Sequence, residues 1–173
     1  RCKYPSLSAI QIAEKLKVTA DIIDTLPANM AYRDLLGSGR LNIFSALNDS
    51  LLPSVQMYNI VYENSHHQAL ADPNDTIYIK GDFINYLAPS TPNLMVSFSC
   101  ASPHVVLLDS VFVAGSLATL CVTSNAANPF SLLIKPGIAP NENLVFKFTI
   151  TDNNYRAVQY FYVYANKDYL DID

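Results

Sequence analysis

Charge is scarce in these 173 residues. Asp, Glu, Lys and Arg make up 15% of the chain, against roughly 25% in an average globular domain. The 11 Lys and Arg against 15 Asp and Glu leave a net charge of −4 with no long run of one sign. A nucleic-acid partner is therefore not expected, because the basic footprint that neutralises phosphates is missing. No basic amphipathic stretch argues for a membrane surface. Five glycines and ten prolines exclude a collagen-like or Pro/Gly-dominated chain, and no unit of 20–50 residues repeats. Three cysteines, Cys2, Cys100 and Cys121, lack metal-ligand spacing. Cys100 and Cys121 pair if their strands face each other, and otherwise read as buried free thiols. The opening Arg1-Cys2-Lys3-Tyr4-Pro5 has no Met and no charged stretch leading into an apolar one. It shows no targeting signal and suggests an excised piece.

Half the residues are hydrophobic, so the chain is not disordered, and at this length it can bury a core. The length corresponds to about one domain on a prior of roughly 100–200 residues. A surface short of charge suggests that part of it lies against other protein. The apolar run 105–122 is interrupted by Asp109, Ser110, Gly115, Ser116 and Thr119 and lacks a Lys or Arg flank. It reads as two strands and a turn, with no membrane span.

The texture changes near Leu52-Pro53. Before it, Ser8 stands three residues ahead of Gln11, the spacing of a capping box. Ile10, Ile12, Ala13 and Leu16 recur at helical intervals, with Glu14, Lys15 and Lys17 on much of the other face, which predicts a helix over 9–19. Pro27 breaks the segment that follows. Gly37-Ser38-Gly39 then turns into a second short helix around 41–47, with Asn42 as candidate N-cap. After Pro53 the sequence is rich in Val, Ile, Phe, Tyr and Thr. Strands are predicted over 55–62, 76–83, 94–99, 111–114, 117–122, 130–134, 144–151 and 157–164, separated by Pro/Asn/Asp turn clusters. The expected class is mainly β, an Ig-like β-sandwich preceded by a short two-helix segment. Its divisions are 1–50 helical, 53–165 sandwich, and 166–173 linker or the start of a further segment.

Tyr4-Pro5-Ser6-Leu7-Ser8 leading into Gln11-Ile12-Ala13-Glu14-Lys15-Leu16, then Thr19-Ala20-Asp21 and Gly37-Ser38-Gly39-Arg40-Leu41-Asn42-Ile43-Phe44-Ser45-Ala46-Leu47, resembles the C-terminal end of a subtilisin-like serine peptidase catalytic domain. Ile43 and Phe44 depart from the small residue often found after the Asn. The resemblance covers about residues 3–48 and implies that 1–50 are the incomplete tail of such a domain. Residues 53–165 more loosely resemble bacterial Ig-like modules of the cell-adhesion-related (CARDB-like) type, through Phe83-Ile84-Asn85-Tyr86, Leu94 to Ser99, Asn128-Pro129-Phe130 and Pro140 to Phe146. Together these imply the non-catalytic C-terminal accessory region of a secreted subtilisin-like serine endopeptidase. Its partner would be the missing upstream catalytic domain of the same protein, and its location extracellular, periplasmic or at the cell surface. The alternative is an adhesion module that binds carbohydrate, peptide or protein substrate.

No catalytic, cofactor-binding or metal-ligating residue is assigned, and no cofactor is expected. A subtilisin-like site needs Asp, His and Ser in that chain order. His66, His67 and His104 follow the closing segment and read as loop histidines, and Ser38 between its glycines reads as a turn because a nucleophile elbow must follow a strand. Gly37 and Gly39 permit positive φ and close backbone approach. Asp72, Asn74 and Asp75, then Asp152, Asn153 and Asn154, then Asp168, Asp171 and Asp173, have oxygen ligands suited to calcium, but Asp and Asn also favour turns for their own backbone reasons. Tyr160, Tyr162 and Tyr164 share one face of a strand, with Phe161 and Val163 on the other, and either face can be the core. The apolar faces carrying Ile10, Leu16, Phe44 and Leu47 are expected to be exposed unless the sandwich or a second copy covers them.

Overall fold

The computed structural model describes residues 2–49 and 52–168. Within them the chain after Pro53 forms β1 (Val55–Asn64), β2 (Thr76–Asn85), β3 (Met95–Cys100), β4 (Val105–Asp109), β5 (Val111–Val113), β6 (Val122–Ser124), β7 (Phe130–Ile134), β8 (Glu142–Asp152) and β9 (Tyr155–Ala165). One sheet runs β1-β2-β7-β4, with β6 also paired to β2, and the other runs β5-β3-β8-β9. All the pairings are antiparallel. Taken in chain order, β1, β2, β7 and β4 occupy the A, B, E and D places of an Ig-like sandwich, and β3, β8 and β9 the C, F and G places.

Alternation sets which face is buried. In β8, Leu144, Phe146, Phe148 and Ile150 are buried while Val145, Lys147 and Thr149 point outward, the period-two pattern of a half-buried strand. The chain has no tryptophan, and phenylalanines fill the middle of the core instead. Phe98 lies with ring centroids 5.2–5.4 Å from Phe130, Phe146 and Phe148. Such contacts add about 0.5–1.5 kcal/mol per pair beyond area burial.

Two buried asparagines do work usually left to backbone. β6 and β7 lie one after the other along the same edge of β2. At the break between them the Asn125 side chain accepts from Gly81 N at 2.8 Å and donates to Ile79 O at 3.1 Å. Asn85 likewise accepts from Ser54 N and donates to the Ala88 and Leu117 carbonyls. Each replaces a missing strand partner, since a buried peptide group without one is costly.

The helical segment contains α1 (Ala9–Val18), a 3₁₀ helix (Pro27–Tyr32) and α2 (Ile43–Asn48). Ser8 and Gln11 form the reciprocal capping box, and Asn42 caps α2 by accepting from Ser45 N at 2.9 Å. Asp21 and Arg40 form a backbone bridge that draws the two helices together. Gly39, at φ +105°, makes it possible: a Cβ there would lie 2.2 Å from the Asp21 carbonyl oxygen.

The stretch 105–122 departs from its expected form. It supplies β4, turns at Ser110, supplies β5, and reaches Val122 at the start of β6. No strand forms over 117–121; there Leu117 O accepts from Ser90 N and from the Asn85 side chain while the chain passes between sheets. Cys100, in β3, is half-buried, and burial pushes its thiol up. Cys121 is exposed beside the opposite sheet, so the two are free thiols and the second is not buried. Asn166 N donates to Ala71 O at 2.9 Å. Asp171 and Asp173 lie outside the described residues.

Candidate interaction surface

α1 lies on the sandwich with its polar side inward. Glu14 is 3% exposed and Lys15 2%, whereas Ile10 is 47% exposed. The Glu14 carboxylate accepts from Ser54 Oγ, Gln56 Nε2 and Lys17 Nζ, each at 2.7 Å. Gln11 Nε2 donates to Tyr86 O at 2.9 Å. Lys15 Nζ donates to Asp49 O at 3.1 Å and sits 4.9 Å from the centroid of the Tyr4 ring. The polar ends of three α1 side chains, Gln11, Glu14 and Lys15, are thus satisfied by protein, which makes their burial tolerable.

The apolar side of the segment is left outward. Phe44 is 75% exposed, and Ile43, Leu47, Met30 and Leu35 are exposed with it. Between α1 and α2 a recess of about 110 Å³ is floored by Ile12, Leu16 and Ala46. The sandwich covers none of Ile10, Phe44 or Leu47, and only Leu16 of the expected set is half-buried. Ile43 and Leu47 line the same recess, an exposed apolar cluster of the kind that marks interaction surfaces.

A second tie joins the segment to the outer face of the β5-β3-β8-β9 sheet. Asp34 receives Lys147 Nζ at 2.5 Å from β8 and Arg156 Nη1 at 2.7 Å from β9. The Arg156 hydrogen bond, with Lys147 beside it, holds the Asp34 carboxyl down at about 2 against the desolvation that opposes it. Asp24 in turn accepts from Asp34 N at 2.8 Å. Between this tie and α1 runs an open groove of about 630 Å³, lined by Glu14, Lys17 and Ile22 of the helical segment, by Ser54–Gln56 beside Glu14, and by Arg156–Tyr160 and Tyr162 of β9.

Tyr160, Tyr162 and Tyr164 point outward, because Phe161 and Val163 take the core side of β9. Tyr162 and Tyr164 are exposed and Tyr160 is half-buried; only Tyr160 and Tyr162 line the groove. Ser38 also lies on the groove wall, in a turn with Gly37 at φ +65°, and no histidine lines that groove. His66 and His67 are exposed in the loop after β1, where His67 Nδ1 is 3.2 Å from Glu63. The acidic loops spend their carboxylates on neighbouring segments: Asp75 accepts from Asn64 Nδ2 at the end of β1, and Asp152 from Thr91 N and Oγ1 in the loop before β3. Among the described residues no three His, Cys, Asp or Glu side chains come together as a metal site, and no helix is long and apolar enough to cross a membrane.

Sequence reasoning placed neither Glu14 nor Asp34 at a contact. The only signal for Glu14 was its position one turn beyond the capping box, and for Asp34 there was none, since its partners lie more than a hundred residues away. No protein-family model matches the chain, and no curated protein matches it.

Proposed function

We propose that this chain is the non-catalytic C-terminal accessory region of a secreted subtilisin-like serine endopeptidase. In this reading residues 1–50 are the tail of the catalytic domain, and the sandwich stabilises that domain, positions substrate or displays the enzyme outside the cell. The observation that carries the reading is the outward apolar side of α1 and α2, with Ile10, Phe44 and Leu47 uncovered. A helix pair held to the sandwich by polar bonds, with its apolar side free, is what the edge of a divided domain requires. The ordered motifs around Tyr4-Pro5 and Gly37-Ser38-Gly39 support the same parentage. The parent reaction is peptide-bond hydrolysis through a Ser acyl-enzyme, with the Asp, His and Ser lying outside this chain.

The test begins with the gene: a reading frame upstream of Arg1 that lacks Asp and His motifs and a Gly-Thr-Ser segment sinks the proposal. Co-expression with such an upstream domain should bury Ile10 and Phe44 against hydrogen exchange. The chain alone should not cleave casein.

The outward exposure of Tyr162 and Tyr164 favours a second reading, an adhesion module that takes glycan or peptide. A glycan array separates it from the first, since sugar binding lost on Tyr162→Ala would move the assignment from scaffold to lectin-like module.

A further inference from the structure

Among the described residues the sandwich has five edge strands, β1, β4, β5, β6 and β9, and all but β9 are blunted, β6 by its length of three residues. β4 spans five residues and is broken by a register shift between Leu107 and Asp109, and β5 spans three residues. β1 shifts register between Tyr58 and Val61, with Asn59 at φ +49°. The β1 edge is also occupied: Val55 N and O bond the Tyr155 hydroxyl, and Met57 N and O bond the Gln159 amide. These are the usual devices by which an edge is closed to further pairing.

β9 has none of them. It pairs with β8 over 11 residues without a register shift. Asn153 and Asn154 form a two-residue turn, so Asp152 and Tyr155 are a hydrogen-bonded pair. Alternation then turns the N–H and C=O groups of Arg156, Val158, Tyr160, Tyr162 and Tyr164 away from β8. Among the described residues none of these peptide groups has a hydrogen-bond partner. Their free edge faces the groove, from whose walls the helical segment makes no backbone bond to it.

We infer that this edge of β9 takes up an extended polypeptide segment as an added strand. A row of donors and acceptors at strand spacing is matched by another extended backbone and by little else. The added strand sets every second side chain beside Val158, Tyr160 and Tyr162. The charged groups around the groove balance, Asp34 bonded to Lys147 and Arg156, Glu14 to Lys17, and Asp24 accepting from the Asp34 N–H, three carboxylates against three cations. The ligand is therefore an uncharged segment with apolar or aromatic residues at alternate positions. The inference holds whether or not the helical segment docks on a catalytic domain.

Val158→Pro is the decisive variant. The Val158 N–H points to the free edge, where proline removes only the donor and leaves the β8 ladder intact. The probes are fluorescein-labelled peptides of about nine residues, the length of the free edge, alternating Thr with Val, Phe or Tyr. Fluorescence anisotropy on the full chain should show saturable binding, at least about tenfold weaker in Val158→Pro. The same peptides N-methylated at alternate residues should lose binding to the unaltered protein, a control that needs no variant to fold. No anisotropy change up to about 1 mM peptide overturns the inference. So does binding that survives both Val158→Pro and N-methylation. A dimer seen by sedimentation and abolished by Val158→Pro also overturns it, assigning the edge to a second copy.

Discussion

The side-chain amide of Gln159 accepts the Met57 peptide N–H at 2.7 Å and donates to the Met57 carbonyl at 3.1 Å. One residue of β9 thereby completes the hydrogen bonding of one residue of β1 in the opposite sheet. The Tyr155 hydroxyl repeats the arrangement two residues earlier on β1, accepting from Val55 N at 2.8 Å and donating to Val55 O at 3.1 Å. The two sheets are thus joined along one side by polar bonds as well as by core packing.

Gln159→Leu keeps volume but leaves the Met57 N–H and C=O unpaired, and Tyr155→Phe does the same to Val55. Each should lower unfolding free energy by about 1–3 kcal/mol. Urea titration of each variant checks this, and a loss below about 0.5 kcal/mol would show that water replaces the side chain at that edge.

Burial pushes the Tyr155 hydroxyl up to about 12, despite its bond from the Val55 peptide. The unfolded chain ionises this group near 10, so the folded state loses stability as pH rises from about 10 through 12, and none below that window. The difference in alkaline stability between the protein and Tyr155→Phe isolates this group from the other tyrosines and should shrink across the same interval.

Asp34 runs the other way. Its carboxyl is depressed to about 2, so its contribution is complete above roughly 4 and disappears as pH falls through about 2. With Arg156 about half exposed, the tie is worth about 1–2 kcal/mol. Hydrogen exchange over residues 21–40 should speed up in Asp34→Asn near neutral pH, and the two proteins should converge toward pH 2.

Gly39→Ala sets a Cβ 2.2 Å from the Asp21 carbonyl oxygen, so the Asp21–Arg40 bridge has to open. Gly37→Ala meets nothing within 4 Å and suffers only the strain of its positive φ, about 1–2 kcal/mol. Limited proteolysis should cut 21–40 readily in the first variant and slowly in the second, with the sandwich intact in both.

Phe44→Ser removes a large apolar side chain that is mostly in water. Thermal unfolding should move by no more than the equivalent of about 0.5 kcal/mol, while binding of an apolar dye falls. A large loss of stability would mean that Phe44 packs on the protein after all.

Much of the fold was legible because it rests on local patterns. Alternation marks β8, where Phe146 and Phe148 straddle Lys147, and hydrogen-bond chemistry marks both helix starts, where Ser8 and Asn42 cap neighbours three residues on. β4 was missed because Val105 to Asp109 merges with the apolar residues after it, and only the switch of sheets at Ser110 separates them. Buried Asn85 and Asn125 carry no signal of their own, since asparagine at a strand end reads as a turn. The exposure of Ile10, Phe44 and Leu47 was among the expectations, but what holds α1 to the sandwich was not, because Ser54 and Gln56, which donate to Glu14, lie 40 and 42 residues along the chain.

The contacts of β1 with β9 also fix a direction. Val55 meets Tyr155 and Met57 meets Gln159, so the first and last strands run the same way, and at the far end Asn166 is bonded to Ala71. The start of β1 and the end of β9 therefore lie at opposite ends of the sandwich, separated by the length of a ten- or eleven-residue strand, roughly 33 Å. Tension applied across those two points loads the ladders lengthwise, in shear, so that many hydrogen bonds bear it together and none is peeled first.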